Sequence, residues 1–493
     1  MRLLHDLLDS AAAAFPERIA VRDGAADVTY AALQRDSRAL AAWLSARGIG
    51  RGARVALLLP SGAGAVTSLF AVSRLGALFS PLHPELKPRQ LQYVLSDMAP
   101  AAVITTEALQ QAHGLAAHPL VLTLGSAAWT EALASSAAPP PFPGVSFDPV
   151  CLLYTSGSTG LPKAVISAHA NVVFAAGAIQ SRLRIESSDT IGSFLPLSFD
   201  YGLYQCFLAC LAGATLALGQ PGQAGPGMVR KLASFGATFV PLVPSLATVI
   251  VQLSRNMKER PPFRAFTNTG AHLSRAQIDD LTALYPEAKV FVMFGITECK
   301  RVSILDPADY PRKPDSVGRP LPDTECLIVD EAGQPLPPGE RGELVVRGPH
   351  VMRGYWNAPE LTAKRFRRVG PGLEHALFTG DTCSLDADGF LYFHGRNDDI
   401  YKQGGYRVSA LEVEAAALDV PGVVGAALVL RGESPPVLFV TGTTEGPQVV
   451  AGLRERLEDF KVPPTVERLE SLPLTGNGKV DKAALRARAD GAP

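Results

Sequence analysis

The chain lacks a dominant charge, a long apolar run, and any ordered set of cysteines. Its 46 Lys and Arg nearly balance 47 Asp and Glu, leaving a formal net charge of -1. That excludes a strong electrostatic affinity for nucleic acid or an anionic membrane surface. No uninterrupted apolar stretch reaches the roughly 18 residues that a membrane-spanning helix requires, so no membrane span is expected. The opening residues, Met1-Arg-Leu-Leu-His-Asp-Leu-Leu, carry an early acid and no signal-peptide core. They read as the amphipathic first helix of a cytoplasmic protein. The six cysteines are scattered without a C-x-x-C pair, which argues against a zinc site or a disulfide framework. Cys206 and Cys210 lie one helical turn apart and read as apolar packing.

What is present is length, apolar content and punctuation. With 493 residues, 47% of them apolar, plus 45 Gly and 40 Pro, the chain exceeds a single core and suits a loop-rich α/β enzyme. Strand and helix patterns alternate from residue 29 to 106: a Thr29-capped helix, a strand at 54–59, a helix at 63–75, a strand at 78–83, a helix at 88–97 and a strand at 102–106. The alternation resumes from 190 to 295, with an apolar helix starting near Ser198 and a Ser274-capped helix to Tyr285. Such alternation predicts parallel sheets covered on both faces. After residue 315 short alternating strands stand between Pro/Gly turns, the pattern of a small β-barrel or antiparallel sheet. Gly395-Arg-Asn-Asp-Asp399 is polar and reads as a linker to a compact α+β unit of about 95 residues.

One stretch carries chemistry on its own: Tyr154-Thr-Ser-Gly-Ser-Thr-Gly-Leu-Pro-Lys163, behind the apolar run Val150-Cys-Leu-Leu153. Glycines admit backbone N–H groups close to an anion, and hydroxyls and Lys163 add donors, which makes a phosphate cradle. It is not a Walker loop, because two residues separate Gly160 from Lys163.

Five motifs then stand in a telling order: residues 154–163, Phe294-Gly-Ile-Thr-Glu298, Leu377-Phe-Thr-Gly-Asp381, Gly395-Arg-Asn-Asp-Asp399 and Pro473-Leu-Thr-Gly-Asn-Gly-Lys479. Across nearly the whole chain they resemble the AMP-forming adenylating enzymes: acyl-CoA synthetases, nonribosomal-peptide adenylation domains and beetle luciferases. The resemblance implies two doubly wound α/β subdomains plus a small β-barrel over residues 1–397. A mobile α+β lid would follow over 398–493, turning about a hinge at Asp398. It implies ATP and Mg²⁺ as cofactors, activation of a carboxylic acid to an acyl- or aminoacyl-AMP, and transfer to a thiol. That thiol belongs to CoA or to the phosphopantetheine of a carrier protein. With no carrier motif in the sequence, it is expected in trans.

By the same resemblance, Thr155, Ser156, Gly157, Ser158, Thr159, Gly160 and Lys163 grip the β/γ-phosphates, and Glu298 ligates the metal, a hard cation that takes carboxylate oxygens. Thr297 and Gly295 lie at the α-phosphate and substrate, and Phe294 stacks on adenine where a Tyr is usual. Gly270 and Ala271 line adenine and substrate, Asp381 accepts the ribose hydroxyls, and Arg396 assists. Lys479 is the adenylation lysine, and Gly404 and Gly405 let a pantetheine arm pass. Phe199, Asp200 and Cys299 face the acid. In Pro196-Leu-Ser-Phe-Asp200 the Phe-Asp pair resembles the amino-acid-adenylating pattern, in which the Asp meets a substrate ammonium. A second reading makes Asp200 a helix N-cap. Cys299-Lys300-Arg301 is unusual: the cations either meet an acidic substrate group or face solvent, and a zwitterionic or polar acid would satisfy both signs. His169 reads either as a core or capping histidine or as one near the site, and His272 is atypical of the loop along adenine and substrate. A luciferase-like oxidoreductase and a non-catalytic nucleotide-binding homologue are the alternatives. The latter is disfavoured because Lys163, Glu298, Asp381 and Lys479 are all present.

Overall fold

The computed structural model describes residues 2–491, except Ala26, Pro143, 157–161, 221–222, His272, 370–374, 397–399, 404–405, 432–433, Glu458 and Asn477. Among the described residues no helix is long and apolar enough to cross a membrane.

Two large sheets hold most of the chain. One has six strands and the other nine. In the six-stranded sheet, the strands Arg54–Leu58, Leu78–Leu82 and Ala102–Thr105 run parallel. The sheet ends in an antiparallel hairpin of Pro149–Ser156 and Pro162–Ala168. In the nine-stranded sheet, Thr190–Ser193, Phe239–Leu242, Ala265–Asn268 and Lys289–Phe294 are mutually parallel neighbours. Short runs such as Phe239-Val-Pro-Leu242 are buried along their whole length, as expected for strands covered on both faces.

One apolar cluster joins the sheets. Leu57, Phe79 and Ile104 from the first and Ile191, Leu216 and Phe239 from the second share it with several helices. The helix Asp200–Ala212 lies in its middle, with every residue from Tyr201 to Cys210 buried. A helix buried on all sides needs no polar face, which explains its largely apolar sequence. Cys206 and Cys210 are free thiols within it. Burial desolvates their thiolates, raising Cys206 to about 12 and Cys210 beyond it.

Helix ends follow local chemistry. Thr29 accepts from the Ala32 N–H at 3.2 Å and starts Tyr30–Ser45. Ser274 and Gln277 form a reciprocal capping box at Arg275–Leu284.

Beyond residue 320 the strands Glu325–Val329, Gly342–Arg347, Phe366–Arg368, His375–Leu385 and Leu391–Arg396 form an antiparallel sheet. The long strand His375–Leu385 pairs with three partners. Here the linker reading needs correction. Gly395 and Arg396 belong to the strand Leu391–Arg396, with Arg396 opposite Asp381. A polar motif next to a half-exposed edge pairs as readily as an apolar one, because backbone groups supply the bonds. Asn397, Asp398 and Asp399 lie outside the described residues, as do Gly404 and Gly405. The last unit is a three-stranded sheet, Val423–Arg431, Ser434–Gly442 and Thr465–Leu469, carrying the helices Ala410–Leu418, Gly446–Arg454 and Lys482–Ala489.

Candidate active site

Parallel strands deliver their C-terminal ends to one edge, and loops leaving that edge form a crevice. Phe199 and Asp200 follow Thr190–Ser193, Gly270 and Ala271 follow Ala265–Asn268, and residues 295–301 follow Lys289–Phe294. The phosphate-loop motif is the tip of the 149–168 hairpin, with Thr155 opposite Lys163 and Ser156 opposite Pro162. Gly157, Ser158, Thr159 and Gly160 lie outside the described residues, as does the side chain of Ser156.

The last motif of the sequence arrives at this crevice. Lys479 extends between Gly270 and Phe199, its Nζ 5.2 Å from the Phe199 ring centroid. Gly270 has φ +87°, and a Cβ there would stand 3.1 Å from the Phe199 ring and 3.3 Å from Lys479 Cε. Glycine is required both by conformation and by space. Burial lowers the Lys479 pKa, the charge of Asp200 opposing and that of Arg396 reinforcing the shift. Ser245 Oγ donates to the Gly478 carbonyl at 3.1 Å, and Gly476 packs on the His83 ring.

Asp200 is the first residue of its helix, and Phe199 is the N-cap. Its carboxylate therefore faces the positive end of the helix dipole and lies 3.9 Å from Lys300 Nζ. Lys300 and Arg301 do not face solvent; they are 4% and 5% exposed. Lys300 adopts φ +59°, the left-handed conformation. Its Nζ sits 5.6 Å from the Tyr204 ring centroid, and the Arg301 guanidinium 5.4 Å from that of Tyr201. Arg301 Nη1 donates to Thr269 Oγ1. Among the described residues, Lys300 Nζ and Arg301 Nε have no hydrogen-bond partner. Desolvation lowers both pKa values, more than neighbouring Asp200 restores.

Cys299 is a correction. It is fully buried and packs with Val165, Val302 and Ile328 in the core of the antiparallel sheet, so it does not line the crevice with Asp200. The turn after Glu298 sends Cys299 into that core and Lys300 and Arg301 beside the helix Asp200–Ala212.

Phe294 is half-buried and stacks at 34° on Phe393, centroids 5.1 Å apart. Glu298 accepts a 2.6 Å hydrogen bond from the Tyr355 hydroxyl. Asp381 is 1% exposed. Its Oδ1 lies 3.6 Å from Arg396 Nε, while Oδ2 has no hydrogen-bond partner among the described residues. Burial pushes its pKa up to about 7, against the lowering pull of Arg396 and Arg365. A buried acceptor with an unused oxygen suits two vicinal hydroxyls. Thr155 and Thr297 are half-buried. Among the described residues no group of three His, Cys, Asp or Glu converges to hold a metal. A lone carboxylate suits Mg²⁺, which keeps its waters and is shared with substrate phosphates.

His169 belongs elsewhere: its Nδ1 accepts from the Leu4 N–H at 2.9 Å, tying down the first helix. His272 lies outside the described residues. Residues 201, 204, 269 and 355 were not legible as site residues, since each acts across a long sequence separation. The only local signal was the pair of cations after Cys299.

A family model described as AMP-binding enzyme matches residues 8–356, and one described as AMP-binding enzyme C-terminal domain matches 412–479. A feruloyl-CoA synthase of an Amycolatopsis species is 33% identical over 488 residues, 96% of each chain. The nonribosomal peptide synthetase CymA of Salinispora arenicola (strain CNS-205) is 32% identical, but this chain spans only 6% of its length. Among solved structures, VinN in complex with L-aspartate is 39% identical with TM-score 0.74, over 80% of this chain and 98% of that one. ATP-bound MatB from Rhodopseudomonas palustris is 27% identical with TM-score 0.88, over 99% and 100%.

Proposed function

Because the chain belongs to the AMP-binding enzyme family, we propose that it uses ATP to activate the carboxylate of an acidic amino acid and passes the acyl group to a thiol. The insertion of Lys479 between Gly270 and Phe199 carries this reading. A desolvated lysine brought to the meeting point of two sheets suits a site where negative charge develops on a phosphate and a carboxylate.

A substrate carboxylate oxygen attacks the α-phosphorus, the bond to pyrophosphate breaks, and a mixed anhydride forms. Lys479 would bridge the attacking carboxylate and the α-phosphate, countering charge as it spreads. The hairpin 149–168, with Thr155 and Lys163 at its tip, would hold the leaving pyrophosphate. Asp381 would accept the ribose hydroxyls and Arg396 would steady it. Phe294, against Phe393, offers a face to adenine. Glu298 would hold Mg²⁺, which when bound neutralises phosphate charge. A thiol of CoA or of carrier-protein phosphopantetheine then attacks the anhydride and releases AMP.

The acid follows from buried charge. Asp200 suits a substrate ammonium. Lys300 and Arg301, desolvated together, outnumber it, and unpaired buried charge is costly. A neutral amino acid adds another cation and no compensating anion beyond the one that reacts. A second carboxylate on the substrate corrects the imbalance, a reading that VinN's binding of L-aspartate supports.

Acid-dependent exchange of pyrophosphate into ATP tests this. Across amino dicarboxylic, amino carboxamide, neutral amino, aryl and fatty acids, an amino dicarboxylic acid is expected to give the highest kcat/KM. Its carboxamide should lose about 100-fold or more, because the buried cations go unmatched. No exchange with any acid would reject the ligase; preference for an aryl or fatty acid would reject only the amino-acid assignment.

A further inference from the structure

We propose that Tyr355 is the positioning residue for Glu298, within a crosspiece, residues 352–357, that ties this carboxylate to both stems of the phosphate loop. The proposal rests on the reading of Glu298 as a magnesium ligand.

The hydroxyl of Tyr355 donates to Glu298 Oε1 at 2.6 Å. The residue is 6% exposed, and its ring meets Phe366 edge-on with centroids 5.7 Å apart. Its backbone N–H donates to Thr362 Oγ1 at 2.9 Å. Buried and packed against Phe366, the ring directs its hydroxyl at Glu298. Oε1 of Glu298 is engaged by Tyr355; no hydrogen bond or ion pair holds Oε2 among the described residues, so it can meet a cation.

The neighbouring backbone is bonded on two sides. The Met352 N–H donates to the Glu298 carbonyl at 2.9 Å, Gly354 accepts from the Ile166 N–H at 2.9 Å, and the Trp356 N–H donates to Ala164 at 2.8 Å. Ala164 and Ile166 lie on the strand leaving the phosphate loop. On the entering strand, the Tyr154 hydroxyl donates to Asp97 Oδ2 at 2.7 Å. The Asp97 carbonyl accepts from Trp356 Nε1 at 3.1 Å and Asn357 Nδ2 at 2.9 Å. One short segment therefore sets the distance between the phosphate grip and the carboxylate. Magnesium tolerates little error in that distance, since its oxygens must stand near 2.0–2.1 Å in octahedral array. Groups that orient a ligating side chain typically govern metal affinity by about 10- to 100-fold.

Tyr355→Phe removes one oxygen and keeps the ring. Binding of Mn²⁺, standing in for Mg²⁺, to the enzyme with a non-hydrolysable ATP analogue is followed by electron paramagnetic resonance of the free ion. The Mn²⁺ Kd is expected to rise about tenfold or more, with the nucleotide-free melting temperature and the KM for the acid unchanged. In a Glu298→Gln background, the same substitution should have no further effect. Wild-type Mn²⁺ affinity in Tyr355→Phe overturns the proposal, and so does an equal fold-loss in both backgrounds. If Glu298→Gln alone leaves Mn²⁺ affinity intact, the metal role of Glu298 falls, and Tyr355 with it. This readout needs no acid substrate, so it is separate from the exchange test of the reaction.

Discussion

Asp381 shows how burial sets the behaviour of one group. Its carboxyl has a folded pKa of about 7 against an ordinary 3.8, with desolvation as the main cause. Between these values the folded chain holds a proton that the unfolded chain has released. Stability from this group is therefore full at low pH and falls as pH rises toward 7, by an amount on the order of 4 kcal/mol. Asp381→Asn removes the penalty. Its melting temperature should exceed that of the parent near pH 8, with the gap closing toward pH 4. Nucleotide binding runs the other way, since ribose hydroxyls donate to the ionised form. The ATP Kd of the parent should fall as pH rises through about 7, while that of Asp381→Asn stays weak and flat. Calorimetric titration across this range checks both, and a pH-independent parent Kd would remove Asp381 from the ribose site.

The turn 295–301 concentrates function in a single element. A Cβ on Gly295 would overlap the Lys300 carbonyl and stand 2.8 Å from Arg301 Cα. Both obstacles are backbone, so neither can rotate away. Gly295→Ala should cost about 1–3 kcal/mol in stability. Because Glu298, Lys300 and Arg301 ride on the turn, it should also raise the KM values for MgATP and for the acid together. A change in only one would mean that the turn does not move as a unit. Gly333→Ala is the contrast. It carries φ +78° with open space around it, so it should bring backbone strain of about 1 kcal/mol and no kinetic change.

Elements of this kind mark the boundary of what was legible in the sequence. Apolar runs closed by Gly or Pro located the strands and helices over 29–106 and 190–295, because those signals are local; the short elements Glu107–Ala112, Val121–Thr123 and Ala127–Ala134 were missed. The N-cap reading put Asp200 at its helix start but one residue out, since Phe199 is the N-cap and Asp200 the first helical residue. Pairing across the chain was not legible: Ile19–Arg22 joins the far end of the nine-stranded sheet beside Thr215–Leu218, and Gly395-Arg396 extends a strand rather than a linker. The same limit hid Tyr355, whose hydrogen bond to Glu298 spans 57 residues. Cys299 was misread because sequence adjacency to Glu298 says nothing about which way a left-handed turn sends each side chain.

At the scale of the molecule, the decisive contact is between the C-terminal unit and the two sheets. Gly476 meets His83 after a six-stranded-sheet strand, and Gly478 and Lys479 meet Ser245 and Gly270 after nine-stranded-sheet strands. Glycines at 476 and 478 allow that approach, and Lys479 is carried in by it. In the proposed reaction a thiol later reaches the same anhydride, so this arrangement should serve the first half-reaction and yield to another for the second. Two variants separate these steps. Lys479→Ala should slow acid-dependent pyrophosphate exchange by about 100-fold or more, the scale of a lost transition-state donor. Its thiolation of a supplied acyl-adenylate should stay within about twofold of the parent, an order-of-magnitude allowance for an interaction the second step does not use. Ser245→Ala removes one neutral hydrogen bond, worth about 1 kcal/mol, and only in the docked arrangement. It should slow exchange about fivefold and leave thiolation unchanged or faster, because the docked state becomes easier to leave. Equal losses in both half-reactions for either variant would mean that one arrangement of the C-terminal unit performs both steps.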